Sequence, residues 1–414
     1  EVKRTERGFF MKNLIVGQSG GPTAVINSSL YGVIQEGLAQ KETIGHVYGM
    51  INGIEGFLKG NYTDLAELDP QTLNALRTTP GAYLGSCRYK LPEDLSDPVY
   101  AELFQKFEEL SIGYFLYIGG NDSMDTVSKL SRAAEAHRSS IRFIGVPKTI
   151  DNDLILTDHT PGFGSAAKYV AASVCEIGLD ASGYKAKSVT IIEIMGRHAG
   201  WLTAASALSR KYEGDNPILI YLPEADFDQE DFIRRIEDAF QTKNSLIVCV
   251  SEGIHDKDGK FICEYTGAAG TDTFGHKMLT GCGKYLENLV RERLGVKVRS
   301  VELNLCQRCS IFSQSLTDAR EAALAGSSAV EAALKGESGK MVSFVRTSNE
   351  PYELICGLED VNKICNQEKK VPLEWITKDG TDVSEEFLAY ARPLIQGNPA
   401  IPMKNGLPDY AYRK

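Results

Sequence analysis

The sequence lacks several features that would each define a class of protein. It has no uninterrupted apolar run long enough to span a bilayer, so no membrane-spanning helix is expected. It also lacks a basic excess, since 45 Lys and Arg face 55 Asp and Glu for a formal net charge of -10. Nucleic acids and anionic membranes attract basic surfaces, so neither is expected as a partner.

Histidine and cysteine are present without the spacings that mark metal or disulfide sites. The six histidines show no HxxH or HExxH pattern, and the nine cysteines form no evident disulfide framework. Cys306 and Cys309 make one CxxC, but no second pair accompanies it, which disfavours a zinc or redox role. No apolar signal-peptide core precedes Met11, so a reducing cytoplasmic location is expected, with residues 1–10 as a leader or expression remnant.

Low-complexity segments, short repeats and a marked interdomain linker are also missing. The 414 residues are too many for one ordinary core and suggest two domains. Hydrophobic residues at 43% and charged residues at 24% are typical of a globular protein.

What is present is a repeated alternation of apolar strands and amphipathic helices. This alternation predicts an α/β fold of parallel sheets with helices on both faces, and ligands then bind at the carboxyl ends of the strands. The predicted strands are Leu14–Gly17, Tyr114–Ile118, Arg142–Val146, Val189–Met195, Ile218–Leu222, Leu246–Val250 and Val298–Leu303. Helix starts are predicted where proline follows aspartate, at Pro70 and Pro98.

Two of these strands run into glycine turns. "GQSGGPT" at 17–23 follows the first, with Pro22 able to begin the next helix, and "GGNDS" at 119–123 follows the second, before a helix predicted over Ser123–Ala136. Backbone amides at such a turn bind anions. Asp122 lies inside the second turn. Either this turn only connects the strand to the helix, or its acid selects among phosphate donors.

The loop "PKTIDND" at 147–153 follows a third strand and is the richest in polar groups. Asp151 and Asp153, two residues apart, can point to opposite sides of an extended loop, so that one faces a substrate while the other holds a metal water or caps a turn. A carboxylate beside a hydroxyl can act as its general base. The alternative is an Asx-turn.

Four further loops bring one charged residue each to a strand end or its neighbourhood. They are "GSCRYK" with Arg88, "MGRHAG" with Arg197, "SEG" with Glu252 and "CQRCS" with Arg308. Each signal is weak alone, but their joint placement favours an active site for an anionic substrate.

In order and spacing, these motifs resemble those of the phosphofructokinases, over about residues 13–310, and most closely their pyrophosphate-dependent branch. The resemblance implies two doubly wound, Rossmann-like domains with mainly parallel sheets and an active site in the cleft between them. It divides the chain into a phosphate-donor domain, 11–160 with about 307–350, and a sugar-phosphate domain, 161–306 with about 351–414.

The resemblance also implies roles for individual residues. Asp151 is expected to be the catalytic base, assisted by Lys148, Thr149 and Arg197. The expected donor-binding residues are Gly20, Gly21, Arg88, Gly120, Asn121, Asp122, Ser123 and Lys148. The expected sugar-phosphate-binding residues are Thr149, Asp151, Met195, Gly196, Arg197, Glu252, Arg299 and Arg308. Arg299 is expected to reach the 6-phosphate of a neighbouring subunit, which implies a homo-oligomer, dimer or tetramer.

The donor is expected to be pyrophosphate. ATP-using relatives have glycine at the positions of Asp122 and Lys148; here the carboxylate repels a third phosphate, and the ammonium can pair with pyrophosphate and with Asp122. The implied reaction is reversible phosphoryl transfer to the 1-hydroxyl of fructose 6-phosphate, in glycolysis or gluconeogenesis, with Mg²⁺ held by Asp122. The alternatives are an ATP-dependent phosphofructokinase and a non-catalytic sugar-phosphate sensor.

Three positions depart from the family pattern. Asn121 stands where many relatives have a metal-associated aspartate, which leaves Asp122, Asp151, Asp153 or water to contact the metal. Ser188 replaces a second cross-subunit arginine, for which Lys185 and Lys187 are the candidate substitutes, and Leu305 replaces a sugar-binding histidine, for which Asn304 is the candidate.

Overall fold

Strands and helices alternate along most of the chain. The computed structural model describes residues 11–212, 214–266, 270–271, 277–278 and 281–413. Within these ranges no helix is both long and apolar enough to cross a membrane. The strands are β1 (Lys12–Gln18), β2 (Ile44–Met50), β3 (Tyr62–Asp64), β4 (Ile112–Gly119), β5 (Arg142–Pro147), β6 (Ser188–Ile194), β7 (Leu219–Tyr221), β8 (Ser245–Ser251), β9 (Gly270–Thr271), β10 (Lys277–Met278), β11 (Lys297–Glu302), β12 (Lys340–Asn349), β13 (Tyr352–Asp360), β14 (Met403–Lys404) and β15 (Leu407–Pro408).

The helices connect the strands and cover the sheets. The α-helices are α1 (Ile26–Ala39), α2 (Gly53–Leu58), α3 (Pro70–Ala75), α4 (Pro98–Glu109), α5 (Asn121–Ala136), α6 (Phe163–Ser182), α7 (Trp201–Ala204), α8 (Gln229–Ala239), α9 (Cys282–Leu294), α10 (Cys306–Cys309), α11 (Leu316–Leu334), α12 (Val361–Ile364) and α13 (Glu385–Ala391). Short 3-10 helices span Leu65–Glu67, Leu76–Thr78, Ala205–Ser209, Ile262–Thr266, Leu373–Trp375 and Arg392–Ile395.

Two sheets carry the fold. The larger has seven strands in the order β13-β12-β5-β4-β1-β2-β3, and its five central strands run parallel. The smaller has four parallel strands in the order β11-β6-β8-β7. The predicted α/β class with mainly parallel sheets is therefore confirmed.

Each sheet is buried by helices on its faces, as parallel sheets require. One cluster on the larger sheet contains the fully buried aromatic rings of Phe57, Phe107, Phe115 and Phe143, whose ring centroids lie 5.3 to 6.3 Å apart where they contact. Burying a phenylalanine contributes roughly 1.5–3 kcal/mol, so this cluster holds β4 and β5 firmly beneath the loops that follow them.

Local sequence explains where α5 begins and which face it buries. Gly120 precedes its first residue in an extended conformation, and Met124, Val127 and Leu130 lie one helical turn apart and are fully buried. The helix begins at Asn121, two residues earlier than predicted. The two aspartate-proline starts are confirmed, because Asp69 and Asp97 both accept hydrogen bonds as N-caps.

The other element predictions held in part. Every predicted strand overlaps an observed one, but eight observed strands were not predicted: β2, β12, β13 and the short strands β3, β9, β10, β14 and β15. The prediction that Pro22 begins a helix was wrong: α1 begins at Ile26, and residues 19–25 form a loop in which the carbonyl of Gly21 accepts a hydrogen bond from the ammonium of Lys148. The division into two domains stays a prediction, and the hairpin of β12 and β13 spans its boundary near residue 350.

Candidate active site

The carboxyl ends of the two sheets face a common cleft of about 890 Å³. The loops after β1, β4 and β5 form one side, and those after β6 and β8 form the other. The predicted site residues that line this cleft are Gly20, Gly21, Arg88, Gly120, Asn121, Asp122, Ser123, Lys148, Thr149, Asp151, Met195, Gly196, Arg197 and Glu252. Loops distant in sequence are thus brought together as the strand-end argument predicted.

Arg308 lies in a smaller cavity that adjoins the cleft. This cavity, of about 150 Å³, is also lined by Lys148, Asp151 and Glu252. Arg299 is different: it lies on β11, the edge strand of the smaller sheet, and lines a separate depression of about 300 Å³ together with Ser188. Within one chain, Arg299 is therefore absent from the cleft lining, and its expected role across a subunit boundary stays a prediction.

The first glycine turn brings backbone close to two cations. Gly20 has a φ of 75°, which disfavours other residues, and a Cβ at Gly21 would lie 3.0 Å from Nη1 of Arg308. The carbonyl of Gly21 accepts a hydrogen bond of 2.7 Å from Nζ of Lys148. The absence of side chains here lets Lys148 and Arg308 both approach the backbone of this turn.

Lys148 is buried at the end of β5. Its backbone amide donates to the carbonyl of Gly119 at 3.0 Å, which ties the catalytic loop to the second glycine turn. Burial lowers the pKa of its ammonium to about 8, although the charges of Asp151 and Asp153 oppose that shift. Lys148 is therefore a mostly charged cation at neutral pH.

The structure corrects the expected pairing of Lys148 with Asp122. Asp122 forms an ion pair of 3.4 Å with Lys90, and its side chain is 61% exposed. The ammonium of Lys148 instead faces the carbonyl of Gly21. The reason is position: Asp122 lies in the exposed first turn of α5, whereas Lys148 is held inside by β5.

Asp151 and Asp153 both line the cleft, and they do not divide between two opposite faces. Asn152 separates them with a φ of 54°, and its side chain is hydrogen-bonded to Tyr390 and to the amide of Thr160. Burial, aided in Asp153 by the neighbouring charge of Asp151, raises the pKa of both carboxyl groups. A raised pKa strengthens a carboxylate as a base.

On the opposite side, Glu252 and Arg197 follow β8 and β6. Glu252 accepts a hydrogen bond of 3.3 Å from the amide of Gly196, and burial, followed by the charge of Asp151, raises its pKa to about 8. Nε of Arg197 is buried without a hydrogen-bond partner among the described residues. A buried, unpartnered guanidinium donor in a cleft is suited to an anionic ligand.

Several residues in the cleft or directly behind its lining were missed from the sequence. Gln307 is buried and accepts from the amide of Met195 at 3.3 Å, although only its neighbour Arg308 had been singled out. A segment far along the chain also lines the cleft, through Asn366, Glu368 and Lys370. No motif marks that segment, so the sequence offered no signal for it.

The described residues contain no group of three or more His, Cys, Asp and Glu side chains placed to hold a metal ion. Two carboxylates are nevertheless close together, and Oδ1 of Asp153 is buried without a hydrogen-bond partner in the described part of the chain. Mg²⁺ commonly uses one or two carboxylates together with waters and substrate phosphates. Asp151 and Asp153 therefore fit such an ion, while Asp122 stays a predicted ligand.

The Phosphofructokinase family model matches residues 13–333, and with this match the chain belongs to that family. Among curated proteins, it is 40% identical over 402 residues to the pyrophosphate--fructose 6-phosphate 1-phosphotransferase of Halomonas elongata, covering 96% of this chain and 95% of that one. It is 41% identical to the protein of the same name from Xanthomonas campestris, covering 97% and 96%. Among solved structures, the pyrophosphate-dependent phosphofructokinase from Marinobacter aquaeolei has a TM-score of 0.88 and 38% identity, covering 97% of this chain and 96% of that one.

Proposed function

We propose that this protein catalyses the reversible transfer of a phosphoryl group from pyrophosphate to the 1-hydroxyl of fructose 6-phosphate, giving fructose 1,6-bisphosphate and phosphate. The observation that carries the proposal is the buried ammonium of Lys148, held against Gly21 between the glycine turns and Asp151. The curated relatives that are 40% and 41% identical carry the name of this reaction, which supports it.

In the proposed mechanism, Asp151 removes the proton of the sugar hydroxyl as that oxygen attacks the nearer phosphorus in line. Transfer of this kind depends on positioning and charge neutralisation more than on covalent catalysis. Lys148 offsets the negative charge on the donor, and the glycine turns supply backbone amides to its oxygens. Phosphate leaves and the protonated Asp151 serves as the acid in reverse.

On the sugar side, Arg197, Glu252 and Arg308 are the residues proposed to hold fructose 6-phosphate, with the backbone of Met195 and Gly196. Glu252, with its pKa of about 8, is largely protonated at neutral pH and can donate to a sugar oxygen. Arg299 is proposed to contact the 6-phosphate bound to a neighbouring subunit, which makes the enzyme a homo-oligomer, either a dimer or a tetramer.

Mg²⁺ is the proposed cofactor, with Asp151 and Asp153 as the carboxylates suited to hold it and Asp122 as the predicted ligand on the donor turn. When bound, Mg²⁺ neutralises charge on the donor oxygens. A cytoplasmic location is also proposed, and the free state of all nine cysteines supports a reducing compartment.

A coupled assay of fructose 1,6-bisphosphate formation tests the proposal, using pyrophosphate, ATP or no donor at fixed Mg²⁺. The proposal expects turnover with pyrophosphate and at least tenfold lower kcat/KM with ATP. Preference for ATP would establish the ATP-dependent alternative. Binding of fructose 6-phosphate without turnover from either donor would establish the sensor.

A further inference from the structure

Residues 366–370, which we call the strap, cross the cleft after α12 and join its two sides. Asn366, Glu368 and Lys370 line the cleft, so the strap forms one wall of the site. It comes from a part of the chain more than 200 residues from the catalytic loop. A few specific hydrogen bonds therefore hold the strap in place.

Asn121 holds the strap at the donor side. Its Nδ2 donates to the carbonyl of Gln367 at 2.5 Å, and its Oδ1 accepts from the amide of Asn366 at 2.9 Å. Both polar atoms of the side chain are thus used on backbone groups of the strap. A carboxylate at this position could accept a hydrogen bond from the amide of Asn366. Its other oxygen is also an acceptor, so it could not bond to the carbonyl oxygen of Gln367.

Lys369 anchors the strap at the catalytic loop. Its amide donates to the carbonyl of Asp153 at 2.7 Å, and its own carbonyl accepts from Nε1 of Trp201 at 2.9 Å. Its Nζ donates to the carbonyls of Thr157 and Asp158 at 3.1 and 2.8 Å. The strap is consequently fixed at both ends, and Glu368 lies between the two anchors.

Glu368 brings negative charge to this wall. Its carboxylate lies 3.3 Å from Nδ1 of His198. Burial is the main cause of the raised pKa of Asp151 and of Asp153, and the negative charge of Glu368 contributes to both shifts. Glu368 therefore lies within electrostatic reach of the two carboxyl groups. Lys370 of the strap and Lys90, the ion-pair partner of Asp122, line the same cleft, so the obstacle that the strap presents to a longer donor is its fixed backbone together with the Glu368 carboxylate.

We propose that Asn121 is a specificity-determining residue, which holds the strap across the donor side so that the site accepts pyrophosphate and rejects a nucleoside triphosphate. The inference rests on the proposed function. A donor that is longer than pyrophosphate must extend beyond the outer side of the glycine turn. There the fixed strap and the carboxylate of Glu368 obstruct it. If Asn121 is changed, the strap loses its donor-side anchor while the Lys369 anchor remains.

The test compares Asn121→Ala and Asn121→Asp with the wild-type enzyme. Asn121→Asp introduces an acidic residue in the first turn of α5, which favours the helix and guards against misfolding. Gln367→Ala is the matched control, because Asn121 contacts only the backbone of Gln367, whose own side chain donates locally, to the carbonyl of Lys363 in α12. Hydrogen exchange over residues 366–371 measures whether the strap is released, and kcat/KM is measured with pyrophosphate and with ATP.

In both Asn121 variants, the backbone amides of the strap are expected to exchange hydrogen at least tenfold faster than in the wild-type enzyme. The ratio of kcat/KM with pyrophosphate to kcat/KM with ATP is expected to fall at least tenfold. Gln367→Ala is expected to change neither quantity. Unchanged exchange in both variants would overturn the role of Asn121, and faster exchange with an unchanged ratio would overturn the role of the strap in selectivity. Calorimetry with an unreactive ATP analogue, expected to bind at least tenfold tighter to the variants, separates the two claims. A wild-type enzyme without pyrophosphate turnover would contradict the proposed function, while this binding comparison would still report on the strap.

Discussion

At the scale of single residues, the chemistry is concentrated in Lys148, Asp151 and Asp153, three ionisable groups within six positions at the end of β5. Lys148 is buried and the two aspartates are partly buried, and the pKa of each group is shifted in the direction that favours its neutral form, because burial disfavours charge. Their opposite signs partly offset this cost. The loop therefore holds charges that bound phosphates and a metal ion would stabilise further.

Asp151→Ser tests the base directly. The serine cannot accept the hydroxyl proton, so kcat should fall by about 10²-fold to 10⁴-fold while KM for fructose 6-phosphate changes little. Steady-state kinetics in both directions measure the effect. Near-normal kcat in the variant would remove Asp151 from this role.

The lowered pKa of Lys148 predicts an alkaline limit to activity. Its charged form is present below about pH 8 and is lost above it, so kcat/KM for pyrophosphate should decline as pH rises through that value. Lys148→Arg should move the decline by more than one pH unit to higher pH, because an arginine stays protonated.

Glu252 also titrates near this pH and supplies the control for that experiment. Glu252→Gln cannot ionise, so its pH profile should keep the alkaline decline if Lys148 causes it. Loss of the decline in Glu252→Gln, with its retention in Lys148→Arg, would assign the limit to Glu252.

Residues directly after a strand could be placed in the cleft from the sequence alone. The glycine turns mark the carboxyl ends of the strands, and these ends lie along one edge of each parallel sheet. Lys148, Asp151, Arg197 and Glu252 were found in this way. The ion pair of Asp122 with Lys90 was not, because which side chain an exposed helix-terminal acid contacts depends on a loop with no regular pattern.

At the scale of elements, α1 and α11 illustrate how the helices seal the larger sheet. They approach closely at Gly32 and Gly326, where a Cβ would lie 2.0 Å from the carbonyl oxygen of Ala323 and 2.1 Å from that of Ser29. Small residues at these two positions therefore determine the distance between the helices. This contact lies on the donor side of the molecule, behind β1.

Gly32→Ala should destabilise the protein by about 1–3 kcal/mol, because the added methyl group meets backbone that cannot move freely. Gly178→Ala in α6 is the matched control: its Cβ would meet neighbours only at 3.9 Å or beyond, so alanine should stabilise by roughly 0.5–1 kcal/mol. Urea unfolding of both variants measures the difference. Equal stability of the two would show that the contact of α1 and α11 can adjust.

The apolar parallel strands were predictable because they form near-continuous hydrophobic runs, as in β4 and β8. β2 was missed because His46 and two glycines interrupt its apolar pattern. The hairpin of β12 and β13 was missed because the alternating exposure of an antiparallel edge gives a weaker signal.

At the scale of the whole molecule, the two sheets and the strap enclose the cleft, while Arg299 lies outside it on the edge strand β11. The strap could not be predicted, because its contacts join Asn121 and Asp153 to residues more than 200 positions away and depend on the complete fold. The same holds for any contribution from a second subunit.

If Arg299 completes a neighbour's site, two inactive variants should restore activity when mixed. Arg299→Ala and Asp151→Ser subunits, co-assembled, form hybrid sites that contain both an intact base and an intact arginine. Activity well above that of either variant alone is expected, with mixed oligomers verified by native mass spectrometry. Verified mixed oligomers without recovered activity would indicate a site built within one chain.

The most direct measurement of the central claim is phosphorus NMR of the reaction approached from both sides at fixed Mg²⁺. Starting from pyrophosphate and fructose 6-phosphate, the account predicts equal formation of fructose 1,6-bisphosphate and phosphate, and starting from those products it predicts the return of pyrophosphate to the same equilibrium ratio. Pyrophosphate consumption without bisphosphate formation, or transfer only when ATP is supplied, would contradict the account.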